Sequence, residues 1–450
     1  FSLNRLVWNY SIQGEVFAMN NMFLAALFCA LVEFARSRAR SVALTGAFLS
    51  GLALTNQHTS VFYVAPVVVY VLLCDHGRLL RPAALLQLTV CFLCGLLPYA
   101  YLPIASLRGL PGSWGDTASF DGFLTHLLRR EYGTLRLFSG NNAEDTPLLT
   151  GLALYAASFF RESGLLGATG YVAGAWVALL ERGWVGQAAK LVLFNHVFYT
   201  VVFHKMANLP LQDELYVGVH SRFWMQSDLA ACLIAALGLS RGVRAARGVV
   251  RARTKATWGP KHLPLHTAVL AVGLAAMARI PEMDESGNRV IEEYGRWLLR
   301  PLPQGAKLIV KGDLITNTIR YLQVCEGHRA DVEVVDMSMM TYRWFLKVQG
   351  PNFPSFQWPG SHYHPHEQDI GGFSMKQLLD VNIQPGAPPL FMAGGWHEQD
   401  PSPLASYAHV PVGYVDLVQP AAETFEGLLQ PWNHSVWGWY NATRGFNPTG

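Results

Sequence analysis

The sequence predicts an α-helical polytopic membrane protein followed by a soluble α/β domain. Of its 450 residues, 51% are hydrophobic and 14% are charged, whereas about 25% charged residues are usual in a soluble domain. The mean hydropathy is +0.20, and long apolar runs recur through the first part of the chain. We therefore expect a membrane core over residues 1–280 and a soluble domain over 281–450.

About eight apolar stretches are suited to crossing a bilayer, which takes roughly 20 residues. They lie at about 14–34, 42–57, 59–74, 82–104, 164–181, 188–206, 221–240 and 263–280. A shorter apolar run at 148–160 is interpreted as interfacial.

Arginine clusters flank these stretches and predict their orientation. The clusters are Arg36, Arg38 and Arg40; Arg78 and Arg81; and Arg241, Arg244, Arg247, Arg251, Arg253 with Lys255. Basic residues beside membrane spans mark the cytosolic side. The alternative, that the third cluster binds nucleic acid, is less favoured. The loop 105–163 and the domain 281–450 then lie outside the cytosol. Asn433-His-Ser and Asn441-Ala-Thr are glycosylation acceptor patterns in that domain, which agrees with this orientation.

The domain 281–450 contains a predicted βαβ unit. Residues 307–311 and 331–336 have the pattern of strands, and a helix beginning at Asp313 and ending near Gly327 separates them. Residues 389–393 and 414–418 are further strand candidates. No glycine-rich phosphate-binding pattern is present, so the sequence gives no support to a nucleotide-binding role.

Polar residues concentrate between Trp114 and Thr134. A helix over 120–132 would place Phe123, Leu124, Leu127 and Leu128 on one face and His126, Arg129 and Arg130 on the other. The candidate catalytic residues are Asp116, Glu131 and His126. A carboxylate can take the proton from an attacking hydroxyl group, and His126 is expected as a hydrogen-bonding partner. Arg129 and Arg130 match the oxygens of a phosphate, and Tyr132 is a further substrate-binding candidate. In the alternative interpretation Asp116 caps a helix and the remaining charges form an interfacial ion network.

Other polar residues lie at the outer ends of the predicted spans. The candidate substrate-binding residues among them are Glu15, Asn56, His58, Arg222 and Gln226. A carboxylate facing lipid is costly, so we expect Glu15 to face a cavity or a partner. The alternatives are a buried hydrogen bond for Glu15, satisfaction of helix-end carbonyls by Asn56 and His58, and a snorkelling side chain for Arg222.

Metal and disulfide chemistry have little support. His362, His364 and His366 alternate without a second set of ligands, so we predict no metal site. Five of the six cysteines lie in apolar stretches, which predicts no disulfide framework.

Several segments resemble a known enzyme family. They are Glu15-Val-Phe-Ala-Met-Asn-Asn, Asn56-Gln-His-Thr, Leu97-Pro-Tyr-Ala-Tyr-Leu-Pro, Trp114-Gly-Asp, Gly122-Phe-Leu-Thr-His-Leu-Leu-Arg-Arg-Glu-Tyr-Gly-Thr, Arg222-Phe-Trp-Met-Gln-Ser and Lys311-Gly-Asp-Leu. The family comprises protein O-mannosyltransferases of the endoplasmic reticulum, with a GT-C-like membrane core, that modify the IPT domains of plexins and of the hepatocyte growth factor receptor family.

The resemblance implies transfer of one mannose from the lipid dolichyl-phosphate mannose to Ser or Thr hydroxyls, with no further cofactor. It also implies a multi-pass protein with a luminal C-terminal domain. Because the family has further helices and a loop carrying the expected base before the matching region, we expect an internal fragment without the principal catalytic carboxylate. The alternatives are a lipid or solute transporter or flippase, and a non-catalytic luminal scaffold.

Overall fold

The computed structural model describes residues 1–130, 147–207, 209–254, 263–365 and 370–421. It divides into two compact units. Unit 1 comprises Phe1–Tyr101 and Leu128–Asp284, and unit 2 comprises Leu102–Leu127 and Glu285–Gly450. The division into a membrane core over residues 1–280 and a soluble domain over 281–450 stays a prediction. The segment 102–127 groups with the C-terminal residues in unit 2.

The first thirteen helices include all the predicted spans. They are α1 (Arg5–Ser11), α2 (Phe17–Ser37), α3 (Arg40–Asn56), α4 (Val61–Cys74), α5 (His76–Leu79), α6 (Pro82–Gly95), α7 (Tyr101–Leu107), α8 (Phe120–Leu127), α9 (Leu148–Leu180), α10 (Gly183–Met206), α11 (Glu214–Ser221), α12 (Trp224–Thr254) and α13 (Leu263–Met283). Helices α7 and α8 belong largely to unit 2.

Three helical segments in the described ranges are long and apolar enough to cross a membrane: Phe17–Ser37, Leu148–Leu180 and Trp224–Arg247. The bent pair Pro82–Gly95 and Leu97–Leu107 would make a fourth. These segments confirm a helical membrane protein, while the number of eight spans stays a prediction. Helix α9 includes the run 148–160, and its backbone leaves helical geometry at Gly164, where φ is 64° and ψ is −171°.

Helices α9 and α12 pack through glycines. A Cβ atom on Gly174 would lie 1.9 Å from the carbonyl oxygen of Ile234, and one on Gly238 would lie 2.2 Å from that of Gly170. Small residues allow helix backbones to approach closely, which favours association inside a membrane. The apolar core beside this contact includes Phe28, Leu31, Tyr63, Tyr199, Met225 and Ile234.

Unit 2 contains a five-stranded sheet. Its strands are β1 (Lys307–Val310), β2 (Glu333–Asp336), β5 (Leu390–Ala393), β6 (Tyr407–Val412) and β7 (Val415–Pro420), and the short strands β3 (His362–Tyr363) and β4 (Gly372–Phe373) pair separately. The order is β2-β1-β5-β7-β6. Strands β2, β1 and β5 are parallel, and β7 is antiparallel to both of its neighbours, β5 and β6. The helices of this unit are α14 (Val290–Leu299), α15 (Asp313–Glu326), α16 (Phe345–Gln349) and α17 (Met375–Asn382).

The predicted βαβ unit is confirmed as β1–α15–β2. Ile309 belongs to the apolar core on one face of the sheet, and its neighbours Leu308 and Val310 belong to the core on the other. Parallel strands that are covered on both faces are usually continuous apolar runs. This pattern is why the unit could be predicted from the sequence. Lys307, on the same strand, is buried, and desolvation lowers its pKa.

The helix expected over 120–132 is shorter than predicted. Helix α8 ends at Leu127, and Arg129 has a φ of 51°. This left-handed conformation ends helical geometry. Arg129 and Arg130 therefore lie in a turn after α8 and not on its polar face.

The glycine contact between α9 and α12 generates a prediction. Gly238→Leu should reduce the yield of folded protein severalfold, because its side chain has no room beside Gly170. Gly242→Leu, one turn along the same helix with nothing within 4 Å of its Cβ position, is the matched control. Size-exclusion chromatography in detergent measures both. Equal monodisperse yields would contradict this packing.

The pair Arg329–Asp331 generates a second prediction. Arg329 donates to both carboxylate oxygens of Asp331, each at 2.9 Å, and to the carbonyl groups of Leu299 and Leu302 at 2.8 Å. The hydrogen bonds from Arg329 lower the pKa of Asp331 below its ordinary value of 3.8. Asp331 therefore stabilises unit 2 fully above pH 3.8, its pKa in the unfolded chain, and this contribution is lost progressively as the pH falls from 3.8 to the lower pKa of the folded state.

Asp331→Asn should lower the free energy of unfolding of unit 2 by about 1–3 kcal/mol at pH 7. The difference from wild type should shrink below pH 3.8. Pulse proteolysis in urea, with thermolysin at pH 7 and pepsin at pH 3, measures it on the intact chain. A difference that is the same at both pH values would show that the charge of Asp331 is irrelevant.

Candidate functional site

The predicted substrate-binding residues Glu15 and Arg222 form an ion pair in unit 1. Arg222 Nη1 lies 3.4 Å from Glu15 Oε1, and the side chains are 28% and 40% exposed respectively. The guanidinium carbon also lies 6.0 Å from the ring centroid of Tyr10 and 5.9 Å from that of Phe17. Arg222 Nε has no hydrogen-bond partner in the described part of the chain. A guanidinium group is of the kind that binds phosphate oxygens.

Buried amides join the helix ends around this pair. Gln226 Nε2 donates to Asn21 Oδ1 at 3.1 Å, and Ser60 Oγ donates to Asn20 Oδ1 at 2.7 Å. All four side chains are buried, so each hydrogen bond offsets the cost of removing polar atoms from water. Because Asn20, Ser60 and Gln226 lie at the starts of α2, α4 and α12, these bonds fix three helix ends together.

Asn56 and His58 lie at the same end of unit 1. Asn56 Nδ2 donates to the carbonyl oxygen of Val16 at 2.9 Å, next to Glu15 in sequence. His58 Nε2 lies 3.3 Å from the hydroxyl of Tyr99. The bond from Asn56 ties the end of α3 to the start of α2. The substrate-binding role of both residues stays a prediction.

An apolar cavity lies further along the same helices. Its volume is about 290 Å³, and it is lined by residues of α2, α3, α4 and α6. Ser50 and Thr89 supply the hydroxyl groups in an otherwise apolar lining. Leu27, the lining residue of α2 nearest to Asn20 in sequence, is seven residues beyond it, or about 10 Å along a helix axis. The cavity therefore offers apolar surface below the polar helix ends.

Asp116 forms an ion pair within unit 2. Lys347 Nζ donates to Asp116 Oδ2 at 2.6 Å, and the Asp116 side chain is 19% exposed. The ring of the nearby Trp114 lies 5.3 Å from that of Tyr342 and 5.6 Å from that of Trp344. Asp116 therefore has a cationic partner in unit 2.

A buried glutamine holds the segment that leads to Asp116. Gln349 Nε2 donates to the carbonyl oxygens of Leu110 and Ser113 at 3.2 and 3.1 Å, and its Oε1 accepts from Gly112 N at 3.1 Å. Gln349 is 1% exposed. Its side chain thus has the hydrogen bonds that a buried amide requires, and it fixes the segment on unit 2.

The remaining predicted site residues are distributed over both units or lie outside the described residues. His126 is a half-buried residue of α8 in unit 2, whereas Arg129 and Arg130 belong to unit 1. Glu131, Tyr132, Asn433 and Asn441 lie outside the described residues. The gathering of Asp116 with Glu15 and Arg222 at one site stays a prediction.

Metal-ligand geometry is also absent from the described ranges, where no group of three or more His, Cys, Asp or Glu side chains could hold an ion. His362 and His364 have ring centroids 6.2 Å apart. His366, the third histidine of that run, lies outside those ranges.

Sequence reasoning missed several contacts of these residues. Asp228, on α12, is 3% exposed and accepts a 3.0 Å hydrogen bond from Asn4 Nδ2, while Asn4 Oδ1 caps the start of α1. An aspartate within an apolar span was the available signal. The contacts of Lys347 with Asp116 and of Gln349 with Ser113 had no signal in the sequence, because the partners lie more than 230 residues apart.

Comparison with known proteins gives consistent matches. Residues 1–80 match the family model described as "Protein O-mannosyl-transferase TMEM260 N-terminal domain". The chain is 33% identical over 472 residues to the mouse protein named "Protein O-mannosyl-transferase TMEM260", covering 100% of this chain and 64% of the mouse protein. It is 32% identical over 451 residues to the protein of that name from Dictyostelium discoideum, covering 94% of this chain and 54% of the relative.

The chain therefore spans less than two thirds of the length of these relatives. No solved structure matches it significantly. The helices include membrane-crossing candidates, and over its whole length this membrane protein is similar to the mouse protein named "Protein O-mannosyl-transferase TMEM260".

Proposed function

We propose that the chain forms part of an enzyme that transfers mannose from dolichyl-phosphate mannose to Ser or Thr hydroxyls of luminal IPT domains, such as those of plexins and receptor tyrosine kinases. The names of the two relatives support the transfer of mannose to protein oxygen. The lipid donor and the acceptor domain are the finer parts of the proposal, and they rest on the resemblance and on the arrangement in unit 1.

The observation that carries the proposal is the Glu15–Arg222 pair above an apolar cavity. A phosphate-linked lipid needs a cation for its headgroup and apolar surface for its chain. Arg222 supplies the first, since guanidinium binds phosphate oxygens through two parallel hydrogen bonds. The cavity, which begins about 10 Å beyond Asn20 along α2, supplies the second. The donor would lie with its sugar at the polar helix ends and its chain between the helices.

In the proposed reaction the acceptor hydroxyl attacks the anomeric carbon of mannose. The bond between that carbon and the phosphate oxygen breaks, and dolichyl phosphate leaves. A carboxylate takes the hydroxyl proton. Arg222 stabilises the charge that accumulates on the leaving phosphate. Glu15 orients Arg222 through their ion pair, and Asp116 would orient the acceptor or the sugar hydroxyls.

The distribution of basic residues supports an orientation in the endoplasmic reticulum membrane. Arg36 and Arg40 lie at the end of α2 and the start of α3, opposite to the helix ends that carry Asn20 and Asn56. Arg241 pairs with Glu181 at 2.9 Å, just beyond the end of α9. Basic residues face the cytosol, so the Glu15–Arg222 end would face the lumen, as would the C-terminal unit.

Loss of the Arg222 charge tests the donor site. In the full-length protein, Arg222→Gln should lower mannose transfer at least tenfold and raise KM for the lipid donor, because a charge-assisted phosphate contact contributes about 1.5–3 kcal/mol. Arg36→Gln, which removes an exposed ion pair at the other end of α2, is the matched control. Transfer of labelled mannose from dolichyl-phosphate mannose to an isolated IPT domain measures both variants.

If Arg222→Gln left the donor KM and kcat unchanged, Arg222 would be removed from the donor site. A wild-type protein that moved the lipid across vesicles without any transfer would instead indicate a flippase. Absence of both activities would indicate a scaffold.

Asp116 and Lys347 provide a separate test of the acceptor side. Asp116→Asn should abolish mannosylation without loss of expression, if the carboxylate contacts the acceptor or the sugar. Lys347→Met removes the same ion pair but keeps the carboxylate, so we expect it to retain most of the transfer. Equal losses in both variants would assign a structural role to the pair, and full activity in Asp116→Asn would exclude Asp116 from the site.

A further inference from the structure

Unit 2 contains a second cavity that the proposed transfer reaction does not use. It has a volume of about 280 Å³ and lies between helix α15, strand β2, helix α16 and the backbone at Gly112. Strand β2 is at the edge of the five-stranded sheet, so its outer side forms a wall of the cavity. Ligand pockets for drug-sized molecules start at about 300 Å³, and this volume therefore suits a single small ring.

Planar polar side chains line the cavity and are held in place by the fold. Both carboxylate oxygens of Glu333 accept from Ser355 N, at 3.0 and 3.1 Å. Asp336 Oδ2 accepts from Thr316 Oγ1 at 2.9 Å, and its Oδ1 accepts from Ser338 N at 2.7 Å. Asp336 Oδ1 also accepts from Met339 N at 3.2 Å, so both of its lone pairs are used. Asp336 Oδ2 and both oxygens of Glu333 accept one hydrogen bond each and keep a second lone pair in a fixed position.

Arg320 adds donors to the same cavity. It forms no hydrogen bond or ion pair with the described residues, and a Cβ at Gly112 would lie 3.3 Å from its Nε. Because Gly112 has a φ of +80° and no side chain, its backbone can lie directly against the guanidinium group. Arg320 thus brings a fork of donors to the cavity that Glu333 and Asp336 also line.

Apolar groups complete the lining through Pro111, Phe345 and Phe353. A cavity with fixed acceptors, a fork of donors and apolar rings matches a pyranose sugar, which presents hydroxyl groups at its edge and C–H groups on its faces. An ionic ligand would fit less well, because the single cation of Arg320 is accompanied by two carboxylates.

We propose that this cavity is a hexose-binding site in unit 2. Resting on the proposed function, the hexose is the mannose already joined to an acceptor protein, so the site holds the product and not the lipid donor. Arg320 would donate to vicinal hydroxyls that also donate to Glu333 or Asp336.

The test uses methyl α-mannopyranoside as the probe and the full-length protein in detergent. Saturation-transfer NMR and calorimetric titration should show saturable binding to the wild type. Arg320→Ala should weaken it at least tenfold, and Val324→Trp, which places an indole at a cavity residue that is 67% exposed, should abolish it. Both positions are exposed, so the variants should fold.

The matched controls are Leu314→Trp, 54% exposed on the same helix and outside the cavity lining, and Arg289→Ala, a largely exposed arginine of unit 2. Both should bind the mannoside as the wild type does. No saturable binding to the wild type, or equal binding by Arg320→Ala and Val324→Trp, would overturn the proposal. Displacement of the mannoside by an unmannosylated acceptor peptide would also overturn it and indicate a polypeptide site.

This result can be separated from that of the proposed transferase. Mannoside binding that is lost in Val324→Trp but kept in Arg222→Gln supports the hexose site whether or not the wild type transfers mannose. Conversely, a wild type that transfers mannose without binding the mannoside contradicts the hexose site alone.

Discussion

The arrangement in unit 1 depends on the cost of burying polar side chains in an apolar helix bundle. Asn20, Asn21, Ser60 and Gln226 are buried and hydrogen-bonded to one another in pairs. An unpaired amide or hydroxyl in such surroundings costs roughly 1–3 kcal/mol. The helices α2, α4 and α12 can therefore satisfy these groups only when their ends meet. That constraint brings Glu15 and Arg222, which flank α2 and α12, into contact.

The apolar cavity is the complementary feature of the same bundle. It lies about 10 Å or more beyond the buried amides along α2, in a part of the helix whose lining residues are almost entirely apolar. A lipid-linked sugar has the same division between a charged head and an apolar chain. The polar helix ends would thus match the head of the proposed donor, and the apolar cavity would match its chain. No sequence motif specific to the donor is needed for this match.

Much of the fold could be predicted because its signals are local. Apolar runs located the helices, and the strands β1, β2, β5 and β7 came from short buried runs in unit 2. The end of α8 was not predicted correctly, because the backbone at Arg129 adopts a left-handed conformation. An arginine in the sequence does not indicate such a conformation. The contacts of Asp116 with Lys347 and of Ser113 with Gln349 could not be predicted, because they join residues more than 230 positions apart.

The candidate site divides in the same way. Glu15, Arg222 and Gln226 could be placed at helix ends from their positions relative to the apolar spans, but their partners could not be assigned. The pairing of Gln226 with Asn21 and of Asn4 with Asp228 requires the packing of helices distant in sequence. The cavity of unit 2 has no sequence signature, because its polar lining residues come from several elements that are distant in sequence.

The central claim is that Arg222 meets the phosphate of a lipid-linked sugar at the helix ends that carry Glu15. A structure of the full-length protein with bound dolichyl-phosphate mannose measures this directly. We expect the phosphate within hydrogen-bond distance of the Arg222 guanidinium and the isoprenoid chain in the apolar cavity. A phosphate bound at the opposite helix ends, beside Arg38 and Arg40, with the Glu15–Arg222 pair distant from the ligand, would contradict the account.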